Sequence, residues 1–121
     1  MYEIIFYKDK NGHSAVIDYL DMLTEKSDTD KNARVNKIKI LAHMQVLSEH
    51  GTRIGAPIVK HICSDLWELR SLSNRIFFFY WKDDKYVILH HYIKKSRKTP
   101  RKEIRTALNN MRDFIERNGA R

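Results

Sequence analysis

The chain has 121 residues, with 23 Lys and Arg against 15 Asp and Glu, a formal net charge of +8 and a pI of about 9.7. Hydrophobic residues at 42% and charged residues at 31% supply enough apolar matter for a packed core, which excludes wholesale disorder, and the length predicts one domain over residues 1–121. The longest apolar run, Ile76 to Trp81, spans six residues where a membrane span needs about 20, and the lone Cys63 offers no internal disulfide, so a cytoplasmic, membrane-free protein is expected.

Tyr2 to Lys8 is an aromatic and β-branched run closed by Asp9-Lys10-Asn11-Gly12 and reads as a strand and turn; with Glu3 and no long apolar region it is not read as a secretory signal. Ser14 is placed to cap a helix carrying Val16, Ile17, Tyr19, Leu20 and Leu23 on one face. After the polar break Ser27-Asp28-Thr29-Asp30, a second amphipathic helix is predicted on Val35, Ile38, Leu41, Ala42, Gln45 and Leu47, stopping at Gly51. Gly55, Ala56 and Pro57 break the next stretch. The period then becomes strand-like: Leu66–Arg70, Arg75–Trp81 and Tyr86–Lys94 are separated by turns around Ser73-Asn74 and Asp83-Asp84. Thr99 as cap and Pro100 as first residue open a last helix, with Ile104, Ala107, Leu108, Met111, Phe114 and Ile115 as its apolar stripe. The expected architecture is therefore α+β, an antiparallel sheet in the order β-α-α-β-β-β-α, with the helices on one sheet face and a basic open face on the other.

Charge is unevenly spread along the chain. Residues 1–65 hold nine basic and nine acidic residues; residues 66–121 hold 14 and 6, so the whole excess lies in the second half. There Lys94, Lys95, Arg97, Lys98, Arg101, Lys102 and Arg105 are opposed only by Glu103, a density that attracts phosphate. Side chains alternate along a strand, so His90, Tyr92 and Lys94 are expected on the open face, and Leu89, His91 and Ile93 on the core face.

Several chemistries are discounted. The glycines at 12, 51, 55 and 119 are isolated and form no phosphate loop, the six histidines show no zinc spacing with Cys63, and Asp83-Asp84 is a hairpin tip rather than an acid/base pair. No metal or other cofactor is expected. What remains is a cationic, aromatic sheet face with Arg70, Arg75, His90, Tyr92 and Lys94 converging; Arg grips phosphate bidentately, Lys adds a point charge, and an aromatic ring offers a stacking surface for an unpaired base. Phe77, Phe78, Phe79 and Trp81 are read mostly as core.

Leu66-Trp67-Glu68-Leu69-Arg70, Arg75-Ile76-Phe77-Phe78, Leu89-His90-His91-Tyr92-Ile93-Lys94-Lys95 and Lys98-Thr99-Pro100-Arg101-Lys102-Glu103-Ile104 resemble the phage-derived Gp49-like branch of the RelE/HigB toxins. The preceding elements and the Pro57/Lys60 segment follow the family's order, while Ser64-Asp65 before Leu66, where a glycine is usual, and a second histidine at 91 depart from it. The resemblance implies the toxin of a type II toxin–antitoxin pair, a ribosome-dependent endoribonuclease that cuts messenger RNA without a metal. Its partners would be the ribosome, the message and a helix-turn-helix, HigA-like antitoxin, with DNA reached only through the antitoxin complex. By family position Arg75 corresponds to a catalytic arginine, and Lys94-Lys95 to the basic end of the last strand.

Metal-free RNA cleavage uses the ribose 2′-hydroxyl as an internal nucleophile, so the protein must orient it, stabilise charge on phosphate and move two protons. Arg70, Arg75 and Lys94 suit the charge role, and His90 is the candidate base or acid because Arg cannot lose its proton at neutral pH. Lys60, Tyr92, Lys95, Arg97, Lys98, Arg101 and Lys102 are the expected RNA-binding set. The competing readings are a gyrase-inhibiting toxin of the same fold and a non-catalytic RNA-binding module.

Overall fold

The computed structural model describes residues 1–120. Its elements are β1 (Glu3–Phe6), α1 (Ala15–Lys26), α2 (Lys31–His50), a 3-10 turn (Gly51–Ile54), β2 (Val59–Cys63), β3 (Leu66–Ser71), β4 (Asn74–Tyr80), β5 (Lys85–Ile93) and α3 (Arg101–Asn118). The five strands form one mixed sheet in the order β1-β5-β4-β3-β2, with β1 parallel to β5 and every other pair antiparallel. The α+β class holds; the expected all-antiparallel sheet does not, because β1 joins β5 in parallel, and β2 is an additional strand. Gly55 and Pro57 punctuate the approach to β2, and a register shift between His61 and Cys63 breaks the alternation that would have marked it.

Local chemistry fixes the helix ends. Ser14 Oγ accepts from Ile17 N at 3.1 Å, and Asp30 Oδ1 accepts from Asn32 N at 2.9 Å, each satisfying an orphan N–H of a first turn. Gly51 ends α2 at φ 67°, where an added Cβ would come within 2.9 Å of the Tyr2 ring. In α2 the buried face is Ala33, Ile40, Met44 and Leu47; Val35, Ile38 and Leu41, expected to share the core face with Leu47, are exposed. The helix carries apolar residues on both sides, so its period does not single out one face. Helix α3 begins at Arg101 behind Pro100, with no side-chain cap, rather than being capped by Thr99.

Two cores flank the sheet. On one face Leu69, Ile76, Phe78, Tyr86 and Ile88 pack against Val16, Leu23, Ile40 and Leu47 of α1 and α2. On the other, Leu66, Phe77, Phe79, Val87, Leu89 and Tyr92 pack against Ala107, Met111 and Phe114 of α3. Helices therefore cover both faces, contrary to the one-sided expectation: the stripe of α3 needs its own apolar partner, and Phe77 and Phe79 alternate with Phe78 to supply one. Each fully buried aromatic contributes roughly 1.5–3 kcal/mol. Only the part of the second face beyond the α3 core stays open.

Strand β5 carries a bulge that sets the site. Phe77 pairs with His90 and Phe78 with Ile88, leaving Leu89 without a partner. Leu89 therefore joins the α3 core instead of the α1/α2 core, and the alternation restarts one residue later. Ile93, expected in the core, is 49% exposed at the strand end.

Candidate RNA-cleaving site

Register brings the predicted residues together. Arg70 pairs with Arg75, and Arg75 with Tyr92; one step along the strands Lys60, Glu68, Phe77 and His90 lie in a row across β2 to β5. Cross-strand partners share a face, so Lys60, Arg70, Arg75, His90 and Tyr92 all stand on the α3 side. Lys94, two residues past Tyr92, follows on the same side, and its N–H donates to Ser73 O at 2.8 Å. The β3–β4 turn is Leu72-Ser73, so Arg70 and Arg75 are direct partners across it.

Beneath this row lies a carboxylate to which the sequence pattern assigns no role in the site. Glu68 is 1% exposed; its Oε1 accepts from Arg70 Nε at 3.2 Å and stands 3.9 Å from Arg75 Nε, while Oε2 accepts from the Tyr92 hydroxyl at 3.1 Å. A buried carboxylate with two guanidiniums and a phenol is charge-compensated and fixes all three side chains. The signal was present: Leu66, Glu68 and Arg70 share one strand face, which puts an acid where the core alternation calls for an apolar residue.

Arg75 is held on a second edge. Its Nη1 donates to Leu72 O at 2.7 Å and to Asn74 O at 3.0 Å, and Leu72 adopts φ 56°, a left-handed conformation rarely taken by a bulky residue. Among the described residues nothing accepts from Arg75 Nη2. Arg70 and Arg75 line a groove of about 310 Å³ with His43, Pro57, Ile58 and Leu72.

His90 Nε2 lies 2.8 Å from Glu103 Oε1 in the first turn of α3. The carboxylate accepts, so Nε2 carries a proton, and in the neutral ring Nδ1 keeps its lone pair, the arrangement by which an acid orients a catalytic imidazole. The ring lies parallel to Phe77, centroids 6.2 Å apart. Glu103, read only as the lone acid in a basic run, is thus the partner of His90.

Tyr92 was expected to offer a stacking face. It is buried, its ring packs on Phe77 with centroids 5.6 Å apart, and its hydroxyl is committed to Glu68, so it is a wall rather than a platform. Burial raises the pKa of its phenol, opposed by a hydrogen bond to Thr99, the residue that does not cap α3. Lys60, Lys95, Arg97, Lys98, Arg101 and Lys102 are exposed, the last five in the loop and first turn leading into α3. The charges of these last five lie at the rim, whereas Lys60 stands opposite Glu68 across β2 and β3.

His91 faces the opposite side. Its ring stacks on Tyr19 of α1 at 3.9 Å, and its Nε2 donates to Asn74 Oδ1 at 2.9 Å, which also accepts from the Tyr19 hydroxyl at 2.8 Å. Burial, then the nearby His90, lower its pKa to about 4. Asn74 Nδ2 donates in turn to Asn36 Oδ1 at 2.7 Å, so this polar network pins the first residue of β4, next to Arg75.

Among the described residues no three His, Cys, Asp or Glu side chains gather in a way that would hold a metal ion, and no helix is long and apolar enough to cross a membrane. No curated protein matches the chain. The phage-derived Gp49-like protein family (DUF891) matches residues 18–112, a span that takes in every residue of the cationic row and its rim, and the chain belongs to that family.

Proposed function

We propose that the chain is the toxin of a type II toxin–antitoxin pair and acts as a ribosome-dependent messenger RNA endoribonuclease. The Gp49-like family is compatible with a toxin of such a pair and suggests an antitoxin partner. The observation that carries the reading is the Arg70–Arg75–Tyr92 row fixed from below by Glu68: two guanidiniums are oriented before any substrate arrives, which is what electrostatic stabilisation of a developing phosphorane requires.

In the proposed step the ribose O2′ attacks the adjacent phosphorus. The O2′–P bond forms and the P–O5′ bond breaks. His90 Nδ1 takes the 2′-hydroxyl proton while Glu103 holds the opposite ring edge, and the ammonium of Lys94 protonates the departing 5′ oxygen. Arg70 and Arg75 neutralise the non-bridging oxygens. The products are a 2′,3′-cyclic phosphate and a 5′-hydroxyl end, and no metal takes part. Lys60, Lys95, Arg97, Lys98, Arg101 and Lys102 hold RNA backbone, and a helix-turn-helix antitoxin neutralises the activity.

The test is incubation with translating ribosomes and mapping of message ends. The wild-type chain is expected to leave 5′-hydroxyl ends, and Arg75→Ala to cut at least about 10²-fold more slowly while keeping its fold by circular dichroism. Intact message together with inhibited gyrase would favour the protein-binding toxin. Intact message with tight RNA binding would favour the non-catalytic module.

A further inference from the structure

The groove beside the β3–β4 turn brings a third polar side chain to the two arginines, and no motif announced it. His43 projects from α2, on the far side of the sheet, around the open end where β3 meets the turn. Its Nδ1 lies 2.8 Å from Ser71 Oγ. Ser71 is 0% exposed and His43 is its hydroxyl's one side-chain partner among the described residues. A buried hydroxyl proton needs an acceptor, so Ser71 donates and His43 Nδ1 accepts. That fixes the tautomer: the ring proton is on Nε2.

Each polar side chain of the groove is thus held on one edge and open on another. Arg70 is held through Nε by Glu68, Arg75 through Nη1 by the Leu72 and Asn74 carbonyls, and His43 through Nδ1 by Ser71. Among the described residues nothing accepts from Arg70 Nη1 or Nη2, Arg75 Nη2 or His43 Nε2, and none of the buried side-chain polar atoms lacks a partner, so these groups face open space. The rest of the lining is Pro57, Ile58 and Leu72. No carboxylate lines the groove: its side chains offer N–H donors from three elements and two fixed positive charges.

We propose that this groove is an oxyanion subsite for a phosphate of the bound RNA, in which His43 supplies a neutral imidazole N–H beside the guanidiniums of Arg70 and Arg75. The proposal rests on the ribonuclease reading and adds to it a residue outside the strands. The imidazole stays uncharged because burial and the nearby Lys39 both lower its pKa, and because protonation would turn Nδ1 into a donor against the Ser71 hydroxyl. Lys39 on its own helix and Arg70 and Arg75 across the groove are the charges around it. A neutral donor of this kind acts by hydrogen bonding rather than by proton transfer.

The experiment compares the wild-type chain with His43→Ala and His43→Gln on programmed ribosomes from about pH 6.5 to 8.5, with thermal unfolding as the folding control. His43→Ala is expected to lower kcat/KM by about 10- to 100-fold. His43→Gln, which keeps an amide N–H donor, is expected to recover most of the loss with an unchanged pH profile. Full activity of His43→Ala overturns the proposal, and so does a Gln variant as slow as Ala that loses a limb of the profile, because His43 would then be carrying a proton. Titration with inorganic phosphate, followed by the His43 ring signals in NMR, separates the subsite from the ribonuclease reading. A saturable shift that Arg70→Ala abolishes supports the subsite even where the wild-type chain cuts no message, an outcome that would sink the ribonuclease reading alone. An absent shift overturns the subsite.

Discussion

Glu68 concentrates the consequences of one side chain. It pairs with two guanidiniums at the level where the apolar core gives way to the open face, leaving the cluster with one net positive charge, and its own environment is almost dry. Removing one member of a buried charge cluster leaves the others uncompensated, so Glu68→Ala is expected to lower stability by about 3 kcal/mol in urea unfolding. Glu68→Gln, which keeps shape and one acceptor, should cost less stability and still slow cleavage, because Arg70 and Arg75 would lose their anchor. Equal stability of wild type and Glu68→Ala would remove the carboxylate from the scaffold. His91 makes a second residue-level statement. Its pKa falls from 6.5 to about 4, so between these values the unfolded chain binds the proton that the folded chain refuses. Stability is then full above about pH 6.5 and declines as pH falls towards 4, by at most about 3 kcal/mol. His43, also lowered, adds in the same direction. Unfolding free energies measured at pH 7.5, 6 and 5 should fall for wild type and fall less steeply for His91→Gln; parallel slopes would mean that His91 titrates normally.

At the level of elements, the turns and strands show how far a linear pattern reaches. The β4–β5 turn was legible because Asp83-Asp84 sits between two apolar runs. In the structure both residues are left-handed, at φ 52° and 58°, and Lys85 N donates to Lys82 O at 3.0 Å, the two-residue hairpin geometry that glycine prefers at its second position. Asp84→Gly is therefore expected to stabilise the chain by about 0.5–1 kcal/mol, read as a raised melting temperature; a lowered one would show that the Asp84 side chain contributes more than its backbone strain costs. The cap of α1, the stop of α2 and the Arg70/Arg75 pairing were legible for the same reason: each rests on neighbours in sequence. The bulge at Leu89 was not, since nothing in Val87-Ile88-Leu89-His90 marks which residue loses its partner, and it alone decides that Leu89 joins Tyr92 and that His90 meets Glu103. The placement of α3 on the second face was hidden too. Phe77, Phe78 and Phe79 form an unbroken apolar run, which says that both faces are buried but not by which helix. His43 lies 27 residues before Arg70, and only the packing of α2 against β3 closes that distance.

For the whole molecule the deciding quantity is where the charge stands rather than how much there is. The half that builds α1, α2 and β2 is neutral, and the +8 belongs to the half that builds the cationic row and the loop into α3. Field lines from a one-sided distribution of this kind steer a polyanion to one face, and each phosphate neutralised releases counterions. For single-stranded RNA the logarithm of the association constant is expected to fall against the logarithm of salt concentration with a slope of about −0.7 per phosphate contact. Replacing Lys95, Lys98 and Lys102 together by Ala should then flatten the slope by up to about 2. All three are exposed at the rim, and none touches Glu68. The matched control replaces Lys26, Lys31 and Arg34, exposed on α1 and α2, and removes the same total charge. If binding is local to the rim, fluorescence anisotropy over about 50–200 mM salt will show the first variant flattened and the second close to wild type. Should the two variants shift equally, the chain would be responding to RNA through its net charge alone, and the rim would have no special claim on the message.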